Sequence, residues 1–144
     1  MNTTEQKATL LNPSVRHLAM TMLETSTDDF GTPLDKVYGP RDIEQDSLTR
    51  IYCDFQRFVD VVEGRVTEVV GGDWESLEDF FIEASPFRDG SVERYFIFTR
   101  NREGEGYWNT GRWDERVSKV LTDAAHSFPE ITCCLCDDGQ IEFF

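Results

Sequence analysis

Between Asp46 and Glu63 the residues Leu48, Ile51, Tyr52, Phe55, Phe58, Val59 and Val62 recur at steps of three and four. That rhythm winds them onto one face of an α-helix. A stripe so rich in large side chains has to be covered by other elements, so this helix is expected to be the spine of a core. On its other side Arg50, Asp54 and Arg57, at steps of four and three, set opposite charges beside one another. With 144 residues, 39% of them hydrophobic and eleven of them Phe, the chain is long enough to build that core without disulfides or metals. One domain over residues 1–144 is the expectation.

An earlier helix is announced by Asn12-Pro13, a capping residue followed by a proline suited to the first helical position. Val15, Leu18, Ala19, Met22 and Leu23 continue it as an apolar stripe, with His17 off the stripe. Residues 25–40 are rich in turn formers and lack a period, which predicts a long surface loop. "RVTEVV" suggests a short strand before Gly71-Gly72. A third helix is predicted from Asp73 as its cap to the stop at Ser85-Pro86.

The last third reads as strand, strand, helix, strand, strand. "RYFIFTR" and "GYW" carry the aromatic and β-branched residues that suit a pleated surface, on either side of the turn "NREGEG". The helix that follows has Trp113, Val117, Val120, Leu121, Ala124 and Phe128 on its buried side and stops at Pro129. The predicted fold class is therefore α+β: N-terminal helices packed with a C-terminal four-stranded antiparallel sheet in the order β-β-α-β-β.

Three of the four cysteines, Cys133, Cys134 and Cys136, fall within four positions of the final hairpin. Asp138-Gly139 predicts a two-residue type I′ turn, which sets Cys136 opposite Ile141, Leu135 opposite Glu142, Cys134 opposite Phe143 and Cys133 opposite Phe144. Alternation then places Cys134 and Cys136 on one sheet face and Cys133 on the other, so the three thiols do not converge on one ion. A structural zinc site needs a second ligand pair, and the only histidines are His17 and His126. Core filling is the reading for all three thiols, and no metal, cofactor or catalytic residue is assigned. Cys53 paired with a histidine is disfavoured as a nucleophile because it lies within the core-forming helix. "GEG" at 104–106 and "GGDWES" lack the glycines or the lysine of a phosphate loop. The acidic runs Asp28-Asp29, Asp137-Asp138 and Asp42, Glu44, Asp46 lack calcium-loop spacing.

Charge carries what functional signal there is. Twenty-eight acidic residues against fourteen basic ones give a net charge of −14, which disfavours nucleic acids and anionic membranes and attracts cationic surfaces. Glu75, Glu78, Asp79 and Glu83 gather on one arc of the third predicted helix with Ile82 in their midst, opposite Trp74, Leu77, Phe80, Phe81 and Ala84. An apolar residue ringed by carboxylates suits a partner with an apolar pocket and a basic rim. The expectation is a small acidic binding protein that occludes a basic, nucleic-acid-binding or nuclease site on a partner, as inhibitors, immunity proteins and phage or plasmid anti-defence proteins do. Its partner-binding residues are Glu75, Glu78, Asp79, Ile82 and Glu83. The alternative is a small enzyme or ligand-binding domain with a pocket between helices and sheet, lined by Tyr95, Tyr107, Trp108, Arg112 and Trp113. A homo-oligomer whose acidic surface aids solubility is a third option. The opening "MNTTEQKATLL" has neither a basic region nor a long apolar run, which points to a cytoplasmic protein with reduced thiols.

Overall fold

The computed structural model describes residues 9–28, 30–70, 91–102, 106–107, 115–136 and 138–144, and the side chains of 66–70, 91, 116 and 117 are left aside. Four α-helices carry most of this structure: α1 (Pro13–Glu24), α2 (Gln45–Val70), α3 (Ser91–Arg100) and α4 (Glu115–His126). Two single-turn 3₁₀ helices, Leu34–Lys36 and Pro40–Asp42, lie between α1 and α2, and a hairpin of β1 (Cys133–Leu135) and β2 (Ile141–Phe143) follows α4. α2 packs on α4 and on α1, and α3 packs on α1 and α4.

Local chemistry starts α1 as expected. The Asn12 side chain accepts a hydrogen bond from the Ser14 backbone N–H at 2.9 Å, and Pro13 occupies the first helical position. Val15, Leu18, Ala19, Met22 and Leu23 are all buried. The α2 stripe is buried at Leu48, Ile51, Phe55, Phe58 and Val62, with Tyr52 and Val59 packed at its margin. α2 runs on to Val70, so "RVTEVV" is helix rather than strand. Gly64 did not break it.

The predicted four-stranded sheet is not formed. Among the described residues the only sheet is the two-stranded β1–β2 hairpin, and the molecule is mostly helical. The decisive element is α3, which holds the "RYFIFTR" read as a strand. Its buried residues are Val92, Glu93, Phe96, Ile97 and Arg100, with Thr99, and the spacing of the first five is helical. Two of them are charged. The inward face therefore does not show as an apolar period, while the aromatic and β-branched run imitates a strand, and tertiary packing overrides that propensity. Phe96 meets Phe58 with ring centroids 4.7 Å apart, and Phe55 at 5.6 Å. Arg102, left-handed at φ 56°, follows the end of α3 and its N–H donates to the Thr99 carbonyl. In "GYW", Tyr107 is fully buried, stacked on Phe58 at 5.6 Å, and its hydroxyl donates to the Val92 carbonyl at 2.6 Å. Tyr107 lies in no strand, and Trp108 is outside the described residues.

The hairpin exists, one residue out of the predicted register. Cys133 pairs with Phe143, Cys134 with Glu142 and Leu135 with Ile141. A type I′ turn needs positive φ at both Asp138 and Gly139, yet only Gly139 takes it, at 84°. The Gly139 N–H donates to the Cys136 carbonyl at 3.0 Å and the Cys136 N–H to the Gln140 carbonyl at 2.8 Å. These bonds close a three-residue loop that ends in a left-handed glycine. The slip exchanges the faces. Ile141 and Phe143 are buried, and it is Cys133, rather than Cys134 and Cys136, that lies beside them.

Between α1 and α2, residues 26–34 fold back on themselves. Leu34 N–H donates to the Ser26 carbonyl and Asp28 N–H to the Thr32 carbonyl, both at 2.9 Å, and Asp28 Oδ1 accepts from the Phe30 and Thr32 amides. Gly31 takes φ 82° and Phe30 projects at 94% exposure. Leu34 anchors the segment in the core. No described helix is long and apolar enough to cross a membrane.

Candidate functional site

α1 ends at Glu24 and α3 at Arg100, and the residues that follow, Thr25 to Thr27 and Asn101, line a cleft of about 310 Å³ with Glu130 and the Ile131–Cys133 segment. This volume is at the lower end of those that hold small ligands. The Thr25 hydroxyl turns back to the Thr21 and Met22 carbonyls at 2.8 and 3.3 Å, closing α1. Asn101 does more than line the wall. Its Nδ2 donates to the Ile131 carbonyl at 2.9 Å and its Oδ1 accepts from the Ile131 N–H at 2.7 Å, so one carboxamide stands in for a neighbouring strand. Arg100, the preceding residue, donates through Nε to the Pro129 carbonyl at 2.6 Å. Together they tie the end of α3 to the segment that enters β1.

The cleft is polar and its chemistry favours positive charge. Glu130 and the hydroxyls of Ser26, Thr27 and Thr132 offer oxygen acceptors, and among the described residues no Lys or Arg lines it. The residues that follow two helix C-termini, the negative ends of their peptide dipoles, stand in its lining. Among the described residues Cys133 brings the one thiol to its lining. Burial pushes that thiol above its usual range, a Ser26 hydrogen bond pulls the other way, and the Sγ lies 3.7 Å from the Met22 carbonyl. A buried, protonated thiol is a packing group.

The other thiols depart from the core-filling expectation. Cys134 is exposed and Cys136 half-buried, because the observed register turns them away from the Ile141 and Phe143 face. Partial burial first, then the charge of Glu142 and its hydrogen bond, push the Cys136 thiol up to about 11. Cys53 lies within α2, as expected, and is exposed there. Among the described residues no three His, Cys, Asp or Glu side chains converge as metal ligands.

Glu75, Glu78, Asp79, Ile82 and Glu83, the predicted partner-binding arc, lie outside the described residues, as do Trp108, Arg112 and Trp113 of the predicted pocket. Tyr107 is a core residue and Tyr95 packs against it at 5.8 Å, so these two form part of the interior. Burial, with Glu93 and Tyr95 nearby, lifts the Tyr107 hydroxyl well above its ordinary value and keeps it neutral.

Carboxylates crowd instead where α2 begins. Glu44, just before α2, has its carboxyl raised above the ordinary value by a hydrogen bond with the Glu142 side chain, then by partial burial, then by the charges of Glu142 and Asp46, with Arg50 opposing. The backbone forces this meeting: Glu44 N–H donates to the Ile141 carbonyl at 2.8 Å, holding the two acids side by side. Sequence reading missed the cleft residues Thr25, Ser26, Thr27, Asn101, Glu130 and Thr132, which belong to no motif. No protein-family model, no curated protein and no solved structure matches the chain.

Proposed function

We propose that the chain is a binding protein that engages and occludes a basic site on a partner protein. A nucleic-acid-binding or nuclease site is the natural target, since such sites are lined with Arg and Lys. The observation that carries this reading is the crowding of Glu44, Asp46 and Glu142, brought together by the Glu44 N–H bond to the Ile141 carbonyl, where a hydrogen bond with Glu142, then partial burial, then the charges of Glu142 and Asp46 raise the Glu44 carboxyl. Held together without a partner, these groups repel; a cationic surface laid over them relieves that repulsion and gains attraction. The excess of fourteen negative charges over the whole chain supplies long-range steering toward such a surface.

A second reading, a small ligand-binding domain, draws support from the cleft beside Asn101 and Glu130. Competition separates the two. The chain is immobilised at low salt, proteins retained from its own cells are eluted with salt, and each is assayed for nucleic-acid binding with and without stoichiometric chain. The occlusion reading expects a basic protein whose nucleic-acid binding is blocked by wild type and spared by the Glu44→Lys/Glu142→Lys variant. Retention of a basic protein whose nucleic-acid site stays fully active contradicts it.

A further inference from the structure

The two edges of the hairpin are treated differently. On the outer edge of β2, the Ile141 carbonyl takes the Glu44 N–H, the Phe143 N–H donates to Ser47 Oγ at 3.0 Å, and the Phe143 carbonyl takes Arg50 Nη2 at 2.6 Å. That edge is closed by the start of α2. On the inner side Thr132 and Phe144 exchange both main-chain bonds, so by alternation Cys134 also faces β2, while Ile131, Cys133 and Leu135 direct their N–H and C=O groups to the open side of β1. Ile131 is taken by Asn101. At the next two positions on this edge, Cys133 and Leu135, the described residues supply no backbone partner, and the Cys134 thiol lies 4.0 Å from the Leu135 carbonyl.

We propose that the open edge of β1 is a strand-addition site for an extended segment of a basic partner, with one Lys or Arg side chain of that segment entering the cleft beside Glu130. Asn101 is the template: its carboxamide makes at Ile131 the paired bonds that a strand would make at Cys133 and Leu135. The cleft borders this edge through Cys133, and the opposite wall at Thr25 to Thr27 leaves room for a side chain directed inward. The occupant's charge follows from the lining, which among the described residues holds one carboxylate, the residues that follow two helix C-termini, and no basic side chain. Main-chain bonds to the edge supply affinity, and the cleft supplies selectivity. A second copy is a poor occupant, because each chain brings a net charge of −14. The inference rests on the reading of the partner as basic.

The test is selection of a random-peptide library displayed on phage against the full chain, then against the Leu135→Pro and Glu130→Gln variants. Proline removes the outward N–H and is tolerated on an edge strand. Expected are peptides with alternating β-branched residues and at least one Lys or Arg. Their affinity should fall at least ~10-fold on Leu135→Pro and their preference for the cation should weaken on Glu130→Gln. Because the proline variant carries a folding risk, amide exchange is also read in the wild-type chain. Bound peptide should slow exchange at Cys133 and Leu135. The proposal is overturned if no peptide is enriched, or if enriched peptides leave both amides unprotected. In that second case, cationic peptides bound elsewhere leave the basic-partner reading standing, whereas acidic or neutral ones remove it as well. Protection at both amides that grows with chain concentration in the absence of peptide assigns the edge to a second copy and also overturns the proposal.

Discussion

The Arg100 guanidinium lies 3.0 Å from the Asp54 carboxylate, with 4% of the arginine side chain exposed. It also lies over the Phe96 and Phe128 rings at 5.7 and 5.4 Å, and burial lowers its pKa while Asp54 opposes that shift. The pair joins α2 to the end of α3 and, through the Pro129 carbonyl, to the wall of the cleft. Asp54 serves Arg57 as well, three residues along the same helix. Removing Asp54 leaves a desolvated cation, and Asp54→Ala is expected to cost roughly 3 kcal/mol in denaturant unfolding. The double variant Asp54→Ala/Arg100→Met should recover more than half of that, since an apolar side chain of similar length needs no counter-charge. Equal losses in the single and double variants would show that the cost of removing Asp54 does not come from leaving the Arg100 charge unpaired.

Two glycines with open space around their Cα atoms should respond in opposite directions to alanine. Gly64 lies inside α2 and Gly139 in the hairpin loop at φ 84°, and among the described residues a Cβ at either meets nothing within 4 Å. Gly64→Ala gains helix propensity and is expected to stabilise by about 1 kcal/mol. Gly139→Ala forces a side chain into left-handed backbone and should destabilise by about 1 kcal/mol, with Gly139→Asn milder. Chemical denaturation of the three variants checks both signs.

A raised carboxyl at Glu44 makes a pH prediction. The folded chain holds that proton more tightly than the unfolded chain, so the stability associated with it is complete below the ordinary value of 4.5 and is lost as pH rises through the raised folded value. Glu44→Gln removes the repulsion among Glu44, Glu142 and Asp46, and the variant should gain melting temperature relative to wild type at pH 7 but not at pH 4. Carboxyl carbon shifts followed by NMR should place Glu44 above 4.5, and Glu142→Gln should bring it down. An unchanged titration in Glu142→Gln would remove the pairing.

Thiol reactivity should sort by environment rather than by exposure alone. Cys53 and Cys134 are exposed and are expected to be alkylated first. Cys136, held up at about 11, should lag behind them despite its partial exposure, since only about a thousandth of it is thiolate at pH 8. Cys133 should be slowest until the chain unfolds. Mass spectrometry of timed iodoacetamide samples gives the order, and Glu142→Gln should accelerate Cys136 selectively.

α1, α2 and α4 were legible because each buries an apolar stripe at helical spacing, and Asn12-Pro13 marks the first start without tertiary help. α3 was not, because Glu93 and Arg100 occupy its inward face, and Arg100 is held there by Asp54, Pro129 and the Phe128 ring, all distant in sequence. The hairpin was legible as a turn at Asp138-Gly139, but those two residues fit either a two-residue or a three-residue loop. The choice is made by burial of Ile141 and Phe143 against the core, beside α2's bonds to β2. The cleft has no local signature. Thr25 and Asn101 come together only because two helices end near each other, and Asn101 reaches Ile131 across thirty positions of chain. The acidic arc at Glu75, Glu78, Asp79, Ile82 and Glu83 lies outside the described residues; Glu44 and Glu142, nearly a hundred positions apart, come together through the backbone bond to Ile141.

Binding to a cationic surface has one thermodynamic signature that a shape-matched neutral ligand lacks, its dependence on ionic strength. The most direct measurement is therefore the equilibrium affinity of the chain for the basic protein it is expected to retain, taken by titration calorimetry at low and at several-fold higher salt. The account predicts a loss of at least ~10-fold over that range, reduced in the Glu44→Lys/Glu142→Lys variant. An affinity that stays constant with salt, or that the charge-reversed variant leaves untouched, contradicts it.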